Sequence, residues 1–110
     1  MNDCPGNMDG TPYAGTKADG GVGVYLDGAS SDNSIQYNVI SGCTFSNGIQ
    51  VNGGTNNRDQ NNTLYNNYIG ICLDDTDAGL VHDNIVTNNI IYAIDATQVP
   101  LYIKPFPSTA

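Results

Sequence analysis

A short phrase recurs along this chain at a spacing that few folds accommodate. "GVYL" (23–26), "GIQV" (48–51) and "GICL" (70–73) align with steps of 25 and 22 residues, and "YAID" (92–95) begins a fourth, weaker copy. Behind them "SIQYNVIS" (34–41), "RDQNNTLY" (58–65) and "LVHDNIVT" (80–87) superimpose, which puts Asn38, Asn62 and Asn84 in one register. A repeat of roughly 22 residues, made of short strands and turns, predicts a solenoid in which each unit buries its apolar side against the next.

The residue types choose between solenoids. Leucine-rich repeats need regularly spaced Leu and a helical or tight convex segment, whereas this chain has Ile and Val in short runs separated by Gly and Asn. That pattern predicts a parallel β-solenoid with three short strands per coil. Alternation points Val24, Leu26, Ile49, Val51, Ile71 and Leu73 inward on the first strand. Ile35 and Val81 follow on the second, and Ile40, Leu64 and Val86 on the third. Coils ~4.8 Å apart stack each aliphatic on its equivalent. The narrow core this makes suits a chain of 110 residues that is only 39% hydrophobic.

The Asn column has a turn as its expected cause, because Asn tolerates the left-handed backbone better than other residues with a Cβ. Stacked amides then hydrogen-bond from coil to coil. In this the chain resembles the right-handed parallel β-helix superfamily of pectate lyases, polygalacturonases, mannuronan epimerases and phage tailspikes. Asn38, Asn62 and Asn84 resemble its asparagine ladder. "GVYLDGASSDNSIQYNVISGC" (23–43) with "GIQVNGG" (48–54) is similar to repeats of its polysaccharide-processing members. The expected fold is all-β, a right-handed parallel β-helix of about three to four coils, handed as parallel crossovers nearly always are. One domain spans 1–110, with 1–21 as a cap or arm, 22–98 as coils and 99–110 as a Pro-rich tail.

The resemblance places a sugar groove on the outer face of the first strands and their flanking loops. There it implies a ligand-binding set of Tyr25, Asp27, Gln50, Asn52 and Asp74, with Cys72 among the outward residues. Asp74, Asp75 and Asp77 form a dense oxygen cluster, which suits calcium better than other metals. The plainer reading is that aspartates cap backbone amides where strands end. "DD" (74–75) and "YIK" (102–104) resemble the paired aspartates and basic motif of polygalacturonases, but the Gly-His-Gly element between them is missing. His82 falls in a column with Gln36 and Gln60, off the groove. Arg58 beside Asp59 reads as a solvated ion pair.

Charge narrows the partners. The net charge is −8, from 11 Asp plus Glu against 3 Lys plus Arg, which disfavours nucleic acid and anionic membrane surfaces. No apolar run reaches a bilayer's width and no export signal is visible, so the chain reads as soluble. Cys4, Cys43 and Cys72 lack CxxC spacing and read as small buried thiols, with no disulfide framework. Open coil ends and a tail with Pro100, Pro105 and Pro107, suited to an edge strand, predict a homo-oligomer. Function divides between a non-catalytic polysaccharide-recognition module, a calcium-dependent lyase, epimerase or hydrolase of acidic polysaccharide, and a purely structural oligomer.

Overall fold

Each coil of the chain climbs by one strand thickness, so that strands far apart in sequence lie side by side. A computed structural model describes the backbone at residues 2–3 and residues 21–75 and 79–104 in full. Its strands are β1 (Asn2–Asp3), β2 (Val24–Leu26), β3 (Ser34–Gln36), β4 (Val39–Ser41), β5 (Asn47–Asn52), β6 (Gly54–Thr55) and β7 (Arg58–Gln60). They continue as β8 (Thr63–Tyr65), β9 (Ile69–Asp74), β10 (Val81–His82), β11 (Ile85–Thr87), β12 (Ile90–Tyr92) and β13 (Val99–Lys104).

Every strand pairing among the described residues is parallel. The sheets run β13-β9-β5-β2, β11-β7-β3, β1-β4-β8-β12 and, as a short pair, β10-β6. In-register stacking produces aliphatic columns: Val24, Ile49, Ile71 and Leu101 in one, Ile40, Leu64 and Ile91 in another. Ile40, Ile49, Val51, Leu64 and Ile71 are fully buried between coils. The repeated Gly before these runs has a steric cause, since a Cβ on Gly48 would lie 2.8 Å from the Gly70 carbonyl oxygen and 2.8 Å from Leu64.

Asparagine ladders are present, and there are two of them. Asn33, Asn57 and Asn84 form the first, with the Asn33 N–H donating to Asn57 Oδ1 at 3.0 Å and the Asn57 N–H to Asn84 Oδ1 at 2.8 Å. Asn38, Asn62 and Asn89 form the second in the same way, at 3.0 and 2.9 Å. The amides of Asn57, Asn62, Asn84 and Asn89 also reach back to a carbonyl of the preceding coil, as Asn62 Nδ2 does to Ile35 at 2.9 Å, while those of Asn33 and Asn38 donate to Ser31 and Gln36 in their own coil. A shorter third rung joins Asn67 Oδ1 to the Cys43 N–H.

Asn84 therefore belongs beside Asn57, not Asn62. The reason is a longer connection: β5 and β6 are separated by one residue, Gly53, but β9 and β10 by residues 75–80. This lengthens the third coil, so β11 matches β7 at a step of 27 residues, as in Ile85 against Arg58. The same shift moves Val86 beneath Asp59 on the second strand and leaves Ile91 the inward residue of the third. Val81 and His82 pair with Gly54 and Thr55, so His82 leaves the Gln36–Gln60 column, which Thr87 completes. The fourth copy of the first strand is Leu101–Ile103 in β13, not "YAID".

Three further expectations change. The left-handed residue of each turn is the one before the ladder Asn, namely Asp32, Tyr37, Asn56, Asn61, Asn66, Asp83 and Asn88. Asp59 turns inward between Ile35 and Val86 while Arg58 is exposed, and the two form no ion pair. Cys43 is disulfide-bonded whereas Cys72 is a free, buried thiol, because a single bridge leaves no spacing signature in an odd count of cysteines.

Candidate functional site

The outer face of β2, β5, β9 and β13 gathers all five residues expected of a ligand-binding set. Strand alternation that sends the aliphatic columns inward sends Tyr25, Gln50, Cys72 and Tyr102 outward in one row. The strand ends align Asn52, Asp74 and Lys104 in a second row, with Asp27 following β2 beside Asn52.

Two polar networks fix these side chains. Asn52 Nδ2 donates to Asp27 Oδ1 at 2.8 Å and to Tyr25 Oη at 3.0 Å. Asn47 Nδ2 donates to Gln50 Oε1 at 2.8 Å, and Gln50 Nε2 donates to Asp74 Oδ2 at 3.1 Å. Asp27 accepts from Asn52 and from the Gly28 N–H, and these bonds hold its carboxyl below the usual range. Tyr25 is raised, first by burial and then by the Asp27 and Asp74 charges. Burial, with Asp74 adding to it, pushes the Cys72 thiol up to about 12, so it is not a nucleophile at neutral pH.

Over the C-terminal half of this face lies a cleft of about 390 Å³, lined by Asn47, Gln50, Tyr68, Ile69, Cys72, Asp74, Tyr102 and Lys104. Asp74 Oδ1 is buried and has no hydrogen-bond partner among the described residues. The cleft thus offers two aromatic rings, two amides, a carboxylate and an ammonium within one concavity. Of the calcium set, Asp74 sits in this cleft, Asp75 accepts the Val81 N–H at 2.7 Å as a turn cap, and Asp77 lies outside the described residues. Among the described residues no three His, Cys, Asp or Glu side chains converge as metal ligands, and calcium asks for six to eight oxygens.

Tyr68, Tyr102, Asn47 and Lys104 were not in the expected set. A signal for two of them existed, since "LYIK" (101–104) alternates as "ICLD" (71–74) does. Placing the fourth copy at 92–95 concealed it.

Residues 5–99 match the profile described as "Right handed beta helix region". The chain belongs to the right-handed β-helix family. Neither the curated proteins nor the solved structures contain a match to it. Membership accounts for the parallel ladders and the absence of α-helix among the described residues of this β-helix, in which no helix is long and apolar enough to cross a membrane.

Proposed function

We propose that this β-helix is a polysaccharide-recognition module whose contact surface is the outer face of β2, β5, β9 and β13, without catalysis of its own. The observation that supports it most is the cleft between Tyr68, Tyr102 and Asp74. Sugar rings combine apolar C–H faces with hydroxyls, and a cleft lined by tyrosine, amide and carboxylate meets both. Asp74 Oδ1, without a hydrogen-bond partner among the described residues, is an acceptor for a sugar hydroxyl, which would relieve the cost of a buried orphan. Asp27 and Asn52 extend the acceptor row along the axis.

The charge state of Asp27 supports binding over hydrolysis. A glycosidase needs one carboxyl that holds a proton near neutral pH, while Asp27 is pushed the other way. Asp27 and Asp74 also stand two coils apart, ~10 Å at the usual strand spacing, at the edge of the window for an inverting pair. The Cys43 disulfide supports an oxidising setting, which suits contact with extracellular glycans. One feature favours a second reading, cleavage by elimination: Lys104 lies in the cleft next to Asp74 in register.

Calorimetric titration with neutral and uronate oligosaccharides tests the first reading. Binding is expected, and Tyr102→Ala should weaken it by roughly threefold to tenfold, the range for losing an aromatic contact. Absence of heat with every sugar would overturn the proposal. The appearance of unsaturated or reducing ends during incubation would replace it with the enzymatic reading.

A further inference from the structure

We propose that copies of this chain stack head to tail, with β13 of one copy adding to β2 of the next, so that the solenoid continues across the joint. The two four-stranded sheets end in complementary ways. One runs from β2 to β13 and the other from β1 to β12, so β12 and β13 lie at one end of the stack and β1 and β2 at the other. Advancing by four coils brings β2 of the next copy beside β13 and, at the same step, β1 beside β12. Both sheets therefore join together without a clash between their edge strands. The three-stranded sheet keeps one strand position open between β11 and the next copy's β3.

Side-chain chemistry matches at the joint. Within the chain Val24, Ile49, Ile71 and Leu101 share a column, as do Tyr25, Gln50, Cys72 and Tyr102, and Leu26, Val51, Leu73 and Ile103. Continuing each column places Leu101 on Val24, Tyr102 on Tyr25 and Ile103 on Leu26. The last row ends in Lys104 at one end of the stack and in Asp27 at the other. In a chain with 3 basic residues and 11 acids, the joint thus sets a cation against an anion, where most alternatives set acid against acid.

The β13 edge also needs covering. All six of its residues are exposed, among them Leu101, Tyr102 and Ile103. A long apolar strand with unpaired backbone groups is a template for another strand. Partnership of β13 with itself through a two-fold axis would pair it antiparallel and leave Lys104 without Asp27. The head-to-tail joint is heterologous, so it does not close on two copies and grows by addition. It also makes the outer face continuous from one copy to the next, and it stands or falls independently of what that face binds.

Sedimentation velocity over a concentration series is the test, with circular dichroism to verify strand content. The wild type should pass beyond dimer mass as concentration rises. Lys104→Asp and Asp27→Lys should each require roughly tenfold or more higher concentration to associate, because each puts like charges at the joint. An equimolar mixture of the two variants restores an Asp–Lys pair at every joint and should regain the wild-type behaviour. As a second measure, Asp27→Cys mixed with Lys104→Cys should form an intermolecular disulfide that neither variant forms alone. A wild type that stays at one chain up to millimolar concentration would overturn the proposal. So would a dimer indifferent to Asp27→Lys, or a mixture that fails to recover.

Discussion

The middle coil and the last coil are built from similar residues yet live in different surroundings. Leu64, in β8, is 0% exposed, while Leu101, in β13, is 45% exposed, although both point along aliphatic columns of the same solenoid. Leu64 is stacked between Ile40 and Ile91, whereas Leu101 has Ile71 on one side and nothing on the other among the described residues. Burial in this fold is thus a property of position in the stack. A side chain needs a coil above and a coil below, and stability follows as a sum of neighbour interfaces.

Truncation at the two leucines is the strongest way to break this comparison. Leu64→Ala should cost about 2–5 kcal/mol, the range for a buried Leu whose cavity relaxes only in part. Leu101→Ala in the monomer should cost under about 1 kcal/mol, since surface changes away from special features usually lie within half of that. Urea unfolding of both variants at low protein concentration measures the difference. Similar losses would mean that the last coil is covered even in the single chain.

The middle coil also buries what the others do not. Its column reads Ile35, Asp59, Val86, and Asp59 is 1% exposed with Oδ1 lacking a hydrogen-bond partner among the described residues. Loss of water pushes its carboxyl up to about 6, against an ordinary value of 3.8. The folded state therefore holds the proton more tightly than the unfolded chain. Below pH 3.8 both states are protonated and the residue costs little. As pH rises through the interval from 3.8 to about 6 the penalty develops, and above it amounts to about 3 kcal/mol. Asp59→Val should accordingly raise stability by about 2–3 kcal/mol at pH 7 and leave it nearly unchanged at pH 3.5. Denaturant midpoints at the two pH values check this. An equal gain at both would show that packing, not charge, sets the effect.

How much of this was legible in sequence differs between the two regions as well. The first two coils could be read almost residue by residue, because their steps of 25 and 24 residues were uninterrupted. The third coil misled, since Asn57, Asn62 and Asn67 recur every five residues. A ladder with that spacing lets a segment slip by five and still set Asn on Asn, so Asn84 matched Asn62 as well as its true neighbour Asn57. Only the extra connection at 75–80 decides between them, and it has no apolar pattern to count. The outer face was recognisable because alternation carries Tyr25, Gln50 and Asp74 outward whichever turn follows. Lys104 and Tyr102 were not placed on this face because the fourth copy of the first strand follows the third at a step of 30 residues, as in Leu101 against Ile71, and not at the 22 that "YAID" suggests. The inward turn of Asp59 had no sequence signal beyond its period, since an acid at an aliphatic position reads as a surface residue.

The turns give the smallest effect and the sharpest control. Tyr37, Asn61 and Asn88 occupy the same corner in three successive coils, all with positive φ, at 59°, 58° and 55°. Asn suits this left-handed backbone because its short side chain adds little crowding, whereas for other L-residues the conformation costs ~1–2 kcal/mol. Tyr37 is 79% exposed, so its ring contributes little packing in compensation. Tyr37→Asn should then stabilise the protein by about 0.5–1 kcal/mol, and Asn61→Tyr should lose a similar amount. Both shifts would appear in the urea midpoint with the slope unchanged, as expected when the native backbone is relieved or strained and the surface exposed on unfolding is constant. If Tyr37→Asn instead destabilises, its exposed ring has a contact outside the single chain, and the first coil is as much a joint as the last.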